Sequence, residues 1–188
     1  KKYNIRLNEE NILLVQHPVT TENRNVVKQI SETLQAIVKI EKNTIIIGPN
    51  SDTGNKDIQE IIKKVAKNNN LIKVYENIPR QDFLGFLNNC KVLVGNSSSG
   101  MIEASLFKIP VVNIGIRQKN REHGPNVINV KEFSKIKIGI AIKKALSKKE
   151  TELKISKIYG NQKVAKKMIN ILEKINVDEE LMEKGLTY

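Results

Sequence analysis

Short apolar runs alternate with amphipathic segments along nearly the whole of this 188-residue chain. Continuous apolar runs such as Ile45-Ile46-Ile47 and Val92-Leu93-Val94 are typical of parallel strands that are buried on both faces of a sheet. Strands that alternate with helices over short connections favour a doubly wound, Rossmann-like α/β fold. The sequence predicts a parallel sheet of about six strands, at Asn11–Gln16, Thr44–Ile47, Leu71–Tyr75, Lys91–Val94, Pro110–Ile114 and Val127–Val130.

The amphipathic segments predict helices, and the chain changes character near residue 160. We expect residues 1–160 to form one Rossmann-like domain. Residues 161–188 are expected to form a C-terminal helical extension, which either covers this domain or packs on another one. The predicted helices are Asn25–Ile40, Asp57–Asn68, Arg80–Asn89, Met101–Phe107, Lys135–Leu146, Asn161–Ile175 and Asp178–Lys184.

Unusual residues follow the predicted strands at one edge of the sheet. In doubly wound sheets, ligands bind beyond the carboxyl ends of the strands. Five loops that should meet at this edge carry His17, Asn50, Ile78 with the next residue proline, a serine-rich turn, and Arg117. Their agreement predicts a nucleotide-binding site there.

The serine-rich turn is the segment Gly95-Asn96-Ser97-Ser98-Ser99-Gly100-Met101-Ile102-Glu103. With the predicted helix Met101–Phe107 after it, the turn directs free backbone N–H groups, hydroxyls and the positive end of a helix dipole to one point, which suits a diphosphate. Glu103 would stand where a carboxylate accepts hydrogen bonds from ribose hydroxyls. Taken alone, the segment is also explained as a serine cap of a helix with no ligand.

Composition argues against several other functions. Cys90 is the only cysteine and His17 and His123 are the only histidines, which disfavours disulfides and metal centres. No apolar run is long enough to span a membrane and no signal-peptide core is visible, so a cytoplasmic protein is the simplest interpretation. The net charge of +12 would suit a polyanion-binding module, but aromatic residues are only 4%, which disfavours specific nucleic-acid binding.

Three separated motifs resemble those of the hydrolysing UDP-N-acetylglucosamine 2-epimerases. They are His17-Pro18-Val19-Thr20-Thr21-Glu22-Asn23, the serine-rich turn, and Asn113-Ile114-Gly115-Ile116-Arg117-Gln118-Lys119-Asn120-Arg121-Glu122. Non-hydrolysing relatives typically carry His-Arg-Arg-Glu-Asn where this chain has His17-Pro18-Val19-Thr20-Thr21, and Asp-Ser-Gly-Gly where it has Asn96-Ser97-Ser98-Ser99-Gly100. The resemblance therefore implies the hydrolysing branch, whose members have two Rossmann-like domains in the GT-B arrangement with the active site between them.

The resemblance implies a role for each residue at the strand ends. Ser97 and Ser98 would bind phosphate, Glu103 the ribose, and Arg117 the diphosphate as a permanent cation. Asn50 and the main chain of Ile78 would line the pocket for the nucleotide. His17 would contact the phosphates and is the one catalytic residue expected here, because it can assist departure of UDP.

The chain corresponds by this resemblance to the C-terminal, UDP-binding half of such an enzyme. The full-length protein would convert UDP-N-acetylglucosamine to N-acetylmannosamine and UDP by elimination and then hydration, as a step of sialic acid biosynthesis. It would use no metal or other cofactor and would be a homo-oligomer. The acid/base residues belong to the missing N-terminal half, on which residues 161–188 are expected to pack, so this half alone should be inactive. The alternatives are a non-hydrolysing epimerase, a GT-B glycosyltransferase and a non-enzymatic polyanion-binding module.

Overall fold

The computed structural model describes residues 3, 5, 10–153, 155, 158–159 and 164–178. Six strands form one sheet in which every neighbouring pair is parallel. This confirms the predicted Rossmann-like α/β fold. The strands are β1 (Ile12–Val15), β2 (Thr44–Ile47), β3 (Ile72–Tyr75), β4 (Val92–Gly95), β5 (Val111–Ile114) and β6 (Val127–Val130).

The order of the strands across the sheet is β3-β2-β1-β4-β5-β6. The chain adds strands in one direction from β1 to β3 and in the other from β4 to β6, so β1 and β4 lie side by side where the direction reverses. Loops from neighbouring strands diverge at such a point and leave a crevice at the carboxyl edge. The helices are α1 (Val26–Val38), α2 (Asn55–Lys67), α3 (Arg80–Asn89), α4 (Lys135–Leu146) and α5 (Val164–Leu172).

Two apolar clusters cover the two faces of the sheet. Because successive side chains of a strand point to opposite faces, Leu14 joins one cluster and Leu13 the other. The first cluster packs the sheet against α1, α2 and α4, and the second packs it against α3 and the segment after the serine-rich turn. Full burial of each leucine or isoleucine contributes roughly 1.5–3 kcal/mol, so the sheet is a rigid base for the loops at its edge.

The predicted helix Met101–Phe107 is wrong. Only Ser98–Gly100 forms a short 3₁₀ helix, and residues 101–108 are successive turns. The spacing of their backbone hydrogen bonds changes along the segment. The N–H groups of Glu103 and Ala104 both donate to the carbonyl of Ser99, which is four residues before Glu103 and five before Ala104. Lys108 then takes a positive φ of 54° to lead the chain into β5. With no regular helix here, a macrodipole contributes little to the site.

The other predicted helices and strands differ from the structure by at most two residues at each end, apart from the C-terminal pair. α5 lies inside the predicted helix Asn161–Ile175, and residues 161–163 are outside the described residues. Of the predicted helix Asp178–Lys184, only Asp178 is described, and it is not helical. The chain separates into two compact units, Lys1–Ser156 and Lys157–Tyr188. Among the described residues, no helix is long and apolar enough to cross a membrane.

Candidate functional site

The residues predicted to bind a ligand all lie in loops at the carboxyl edge of the sheet. His17 follows β1, Asn50 follows β2 and Ile78 follows β3. Ser97 and Ser98 follow β4, with Glu103 five residues beyond Ser98, and Arg117 follows β5. Hydrogen bonds of Asn96 join three of these loops, those after β1, β4 and β5, and a hydrogen bond of His17 joins the loop after β2 to them.

Asn96 is the centre of that connection, although sequence reasoning gave it no role of its own. Its side chain is almost fully buried, with 1% exposed. The Oδ1 atom accepts the backbone N–H of His17 at 2.7 Å, and the Nδ2 atom donates to the backbone carbonyl of His17 at 2.9 Å. One amide thus fastens the end of β4 to the end of β1, at the point where the strand order reverses.

The backbone carbonyl of Asn96 holds the third loop. It accepts from Nε2 of Gln118 at 2.8 Å and from Nη1 of Arg117 at 3.4 Å. Gln118 is buried as well, with 4% exposed. The Arg117 guanidinium is therefore held next to the serine-rich turn, and the signal for this in the sequence was a glutamine directly after the predicted arginine.

His17 is neutral and has a defined hydrogen-bonding role. Its Nδ1 atom accepts the backbone N–H of Asn50 at 3.0 Å, so the proton of the neutral ring is on Nε2. Burial is the main reason that the pKa of His17 falls to about 4; the nearby Arg117 charge lowers it further and the Asp52 carboxylate acts in the opposite direction. At neutral pH His17 offers an N–H donor and no positive charge.

A cleft of about 490 Å³ opens between the ends of β2 and β3. Three of the predicted residues, His17, Asn50 and Ile78, line it together with Arg80 and Phe83. Ser97, Ser98, Glu103 and Arg117 are not part of its wall. Glu103 is nevertheless connected to it, because its Oε1 atom accepts from Nη2 of Arg80 at 3.1 Å.

The serine-rich turn presents both hydroxyls and backbone N–H groups. The Ser97 hydroxyl oxygen accepts from the Ser99 hydroxyl at 2.8 Å and from the Ser99 N–H at 3.4 Å. In the described part of the chain, no hydrogen bond uses the N–H of Ser97 or Ser98 as donor. Gly95 allows this turn, since a Cβ built there would lie 2.0 Å from the carbonyl oxygen of Val15. These two N–H groups suit an anion that lies over the end of β4.

Two ion pairs involve the residues predicted to bind the ligand. Arg80 pairs with Glu103, and Arg117 lies 3.8 Å from Oδ2 of Asp52. The Arg80 side chain is 73% exposed, whereas that of Glu103 is only 17% exposed. Among the described residues, no group of three or more histidine, cysteine, aspartate or glutamate side chains is arranged to hold a metal ion.

Comparison with known proteins identifies one family. The family model described as UDP-N-acetylglucosamine 2-epimerase matches residues 1–173. A protein of Legionella pneumophila named UDP-N,N'-diacetylbacillosamine 2-epimerase (hydrolyzing) is 32% identical over 188 residues, which are 100% of this chain and 49% of that protein. A UDP-N-acetylglucosamine 2-epimerase of Neisseria meningitidis is 35% identical over 132 residues, 70% of this chain and 34% of that protein.

Solved structures agree on the fold. The crystal structure of Methanocaldococcus jannaschii UDP-GlcNAc 2-epimerase in complex with UDP-GlcNAc and UDP matches with a TM-score of 0.69 at 22% identity. The match covers 88% of this chain and 46% of that one. The chain thus spans at most about half the length of the relatives it matches.

Proposed function

Because this chain belongs to the UDP-N-acetylglucosamine 2-epimerase family, we propose that it is the UDP-binding half of a hydrolysing 2-epimerase. The observation that carries the proposal is the connection of three loops through Asn96, whose hydrogen bonds hold both His17 and Arg117 at the serine-rich turn. The cleft beside them has room for a nucleoside. The chain spans about half the length of the Legionella relative, which supports a full-length enzyme with a second domain.

In this proposal the diphosphate lies over the serine-rich turn. Arg117 supplies a permanent positive charge, and the N–H groups of Ser97 and Ser98 supply neutral donors. The Nε2–H of His17 donates to a phosphate oxygen, so that His17 assists departure of UDP by a hydrogen bond. These groups favour the charge that develops on the leaving diphosphate in the transition state.

The nucleoside occupies the cleft between β2 and β3. Asn50 and the main chain of Ile78 line it, and Glu103 accepts hydrogen bonds from the ribose hydroxyls. Glu103 already accepts a hydrogen bond from Arg80, so its carboxylate is oriented before the ribose arrives. Ribose binding requires a Glu103 side chain that the ligand can reach, and 17% of this side chain is exposed.

The sugar chemistry depends on the other half of the enzyme. Elimination of UDP requires removal of the proton at carbon 2, and hydration of the resulting glycal gives the manno sugar. Acid/base groups near the sugar perform both proton transfers, and we assign them to the N-terminal half, without a metal ion. The substrate we propose is UDP-N-acetylglucosamine, as in the sialic acid pathway, and the name of the Legionella relative makes UDP-N,N'-diacetylbacillosamine the alternative.

Calorimetric titration of UDP into this chain tests the binding function. We expect saturable one-to-one binding that weakens by about tenfold or more in Glu103→Ala and in Arg117→Ala, because each loses a charge-assisted hydrogen bond. Glu60→Ala and Lys143→Ala are matched controls that remove an exposed charge of the same sign from a helix, and affinity should stay within about twofold. No saturable binding, or equal affinity in all variants, would overturn the proposal.

The full-length protein separates the enzymatic alternatives. A hydrolysing epimerase releases UDP and a free 2-acetamido sugar from one nucleotide sugar in water. A non-hydrolysing epimerase returns a UDP-sugar, and a glycosyltransferase requires an acceptor. A polyanion-binding module, suggested by the net charge of +12, would release nothing and would bind any polyanion with strong salt dependence. The same assay, applied to residues 1–188 alone, tests the expectation that this half releases no UDP without the other half. A cytoplasmic, homo-oligomeric enzyme remains our proposal for the full-length protein.

A further inference from the structure

Asp52 contacts two of the residues that the proposed function assigns to the nucleotide. Its Oδ2 atom accepts from Nδ2 of Asn50 at 2.6 Å and lies 3.8 Å from Nη2 of Arg117. Asp52 follows β2 and Arg117 follows β5, and β1 and β4 lie between those strands. The carboxylate thus spans the crevice at the carboxyl edge of the sheet.

A carboxylate at this place has the chemistry of the ligand itself. Like a phosphate group, it is an anion that accepts hydrogen bonds through oxygen, and it occupies donors of the kind that a phosphate would use. Both partners are only partly exposed, 37% for the Asp52 side chain and 27% for that of Arg117, so solvent screens the pair incompletely. A diphosphate that reaches Arg117 would therefore meet a like charge close by.

We propose that Asp52 is an internal stand-in for the diphosphate, which holds Arg117 and Asn50 while no nucleotide is bound and gives up Arg117 when the diphosphate arrives. The proposal rests on the proposed function, since it concerns the same site. It has two consequences. The binding groups are already ordered in the free chain, which reduces the cost of binding. The remaining charge of Asp52 opposes the bound diphosphate, so it limits affinity and speeds release of UDP.

Asp52→Asn separates this role from a merely structural one. Asparagine keeps the size of the side chain and an oxygen that accepts from Asn50, but it has no charge. UDP should bind about fivefold more tightly, which is the upper end of what a partly exposed charge pair contributes, whereas uridine should bind equally well to both chains. The gain should shrink as salt is raised, because the repulsion is electrostatic.

The matched control is Asp57→Asn, which removes one exposed carboxylate five residues further along the chain. It should leave UDP affinity unchanged, since Asp57 touches none of the ligand groups. Asp52→Ser is a second variant that removes the charge, and it should change UDP affinity in the same direction. A thermal unfolding transition measured without ligand establishes that each variant is folded.

The outcomes are distinguishable. Unchanged or weaker UDP binding in Asp52→Asn, or equal tightening for UDP and uridine, would overturn this inference and leave the proposed function intact if Glu103→Ala still weakens UDP binding by about tenfold or more. Absence of UDP binding by the unchanged chain would refute the proposed function and this inference with it. Tightening in Asp57→Asn as well would show that net charge, not Asp52, is responsible, and would also overturn it.

Discussion

Replacement of Asn96 by alanine should destabilise the chain more than any other single change of a polar side chain at the site. The amide makes two hydrogen bonds to the backbone of His17, at 2.7 and 2.9 Å, from a position that is 1% exposed. Alanine leaves the N–H and the carbonyl of His17 without those partners. An unsatisfied buried polar group costs about 1–3 kcal/mol, and His17 is only half-buried, so we expect a loss of about 2–4 kcal/mol.

Urea unfolding measures that loss. A domain of this size is stable by about 5–15 kcal/mol, so the variant should fold but with a clearly lower midpoint. With a slope of about 2 kcal/mol per molar urea, the midpoint should fall by about 1–2 M while the slope is unchanged. UDP affinity should fall too, because the end of β1 is no longer fastened to the serine-rich turn.

Asn89→Ala is the matched control. Asn89 also donates to a backbone carbonyl, that of Gly85 at 2.8 Å, but it is exposed at the end of α3. Water can replace that bond, so its free energy of unfolding should change by at most about 0.5 kcal/mol. If Asn96→Ala costs less than about 1 kcal/mol, or no more than Asn89→Ala, the central role assigned to the Asn96 amide is refuted.

Three further predictions concern the space around two glycines and the pKa values of His17 and Cys90. Gly95→Ala should prevent stable folding, because its Cβ would lie 2.0 Å from the carbonyl oxygen of Val15 at a φ of +126°. Gly139→Ala is the matched control, because Gly139 has open space around it on α4, and it should raise the free energy of unfolding by about 0.5–1 kcal/mol. Urea unfolding compares the two variants. The pKa of His17 is lowered from 6.5 to about 4 on folding, so the unfolded chain binds more protons between these values and stability should fall as pH falls from 6.5 to 4. His17→Gln can keep an acceptor for the backbone N–H of Asn50, and it should reduce this dependence of the free energy of unfolding on pH. Urea unfolding at several pH values measures the change. Burial raises the pKa of the Cys90 thiol to about 12, so a disulfide reagent at pH 8 should label it slowly in the native chain and rapidly in urea; fast native labelling would contradict its burial.

Much of the fold could be predicted from the sequence, because local pattern determines it. The predicted strands Thr44–Ile47 and Val127–Val130 and the predicted helices Arg80–Asn89 and Lys135–Leu146 have the bounds found in the structure. The strands consist mainly of isoleucine and valine, and the helices carry one apolar face that packs on the sheet. The helix predicted at Met101–Phe107 is wrong because the nine residues between Gly100, where the short 3₁₀ helix ends, and Pro110 must also return the chain to β5, and their backbone hydrogen bonds change spacing on the way.

The contacts that organise the site could not be predicted in the same way. Asn96 and His17 are 79 residues apart, and Asp52 and Arg117 are 65 residues apart, so no spacing in the sequence indicates that they meet. Sequence reasoning found the loops because every parallel strand ends at the same edge. It did not find which side chain fastens one loop to another, since that depends on the strand order, and the order β1 next to β4 is a property of the whole sheet.

The electrostatic arrangement suggests how this half contributes to catalysis under the proposed function. A protonated histidine would add a second cation beside Arg117 and bind UDP more tightly in every state of the reaction, which does not by itself accelerate the chemical step. Burial keeps His17 neutral instead, and Asp52 offsets part of the Arg117 charge. Stabilisation then comes mainly from hydrogen-bond donors fixed in place, and these gain most when charge builds up on the departing diphosphate. A site of this kind favours cleavage without holding UDP so firmly that release limits turnover.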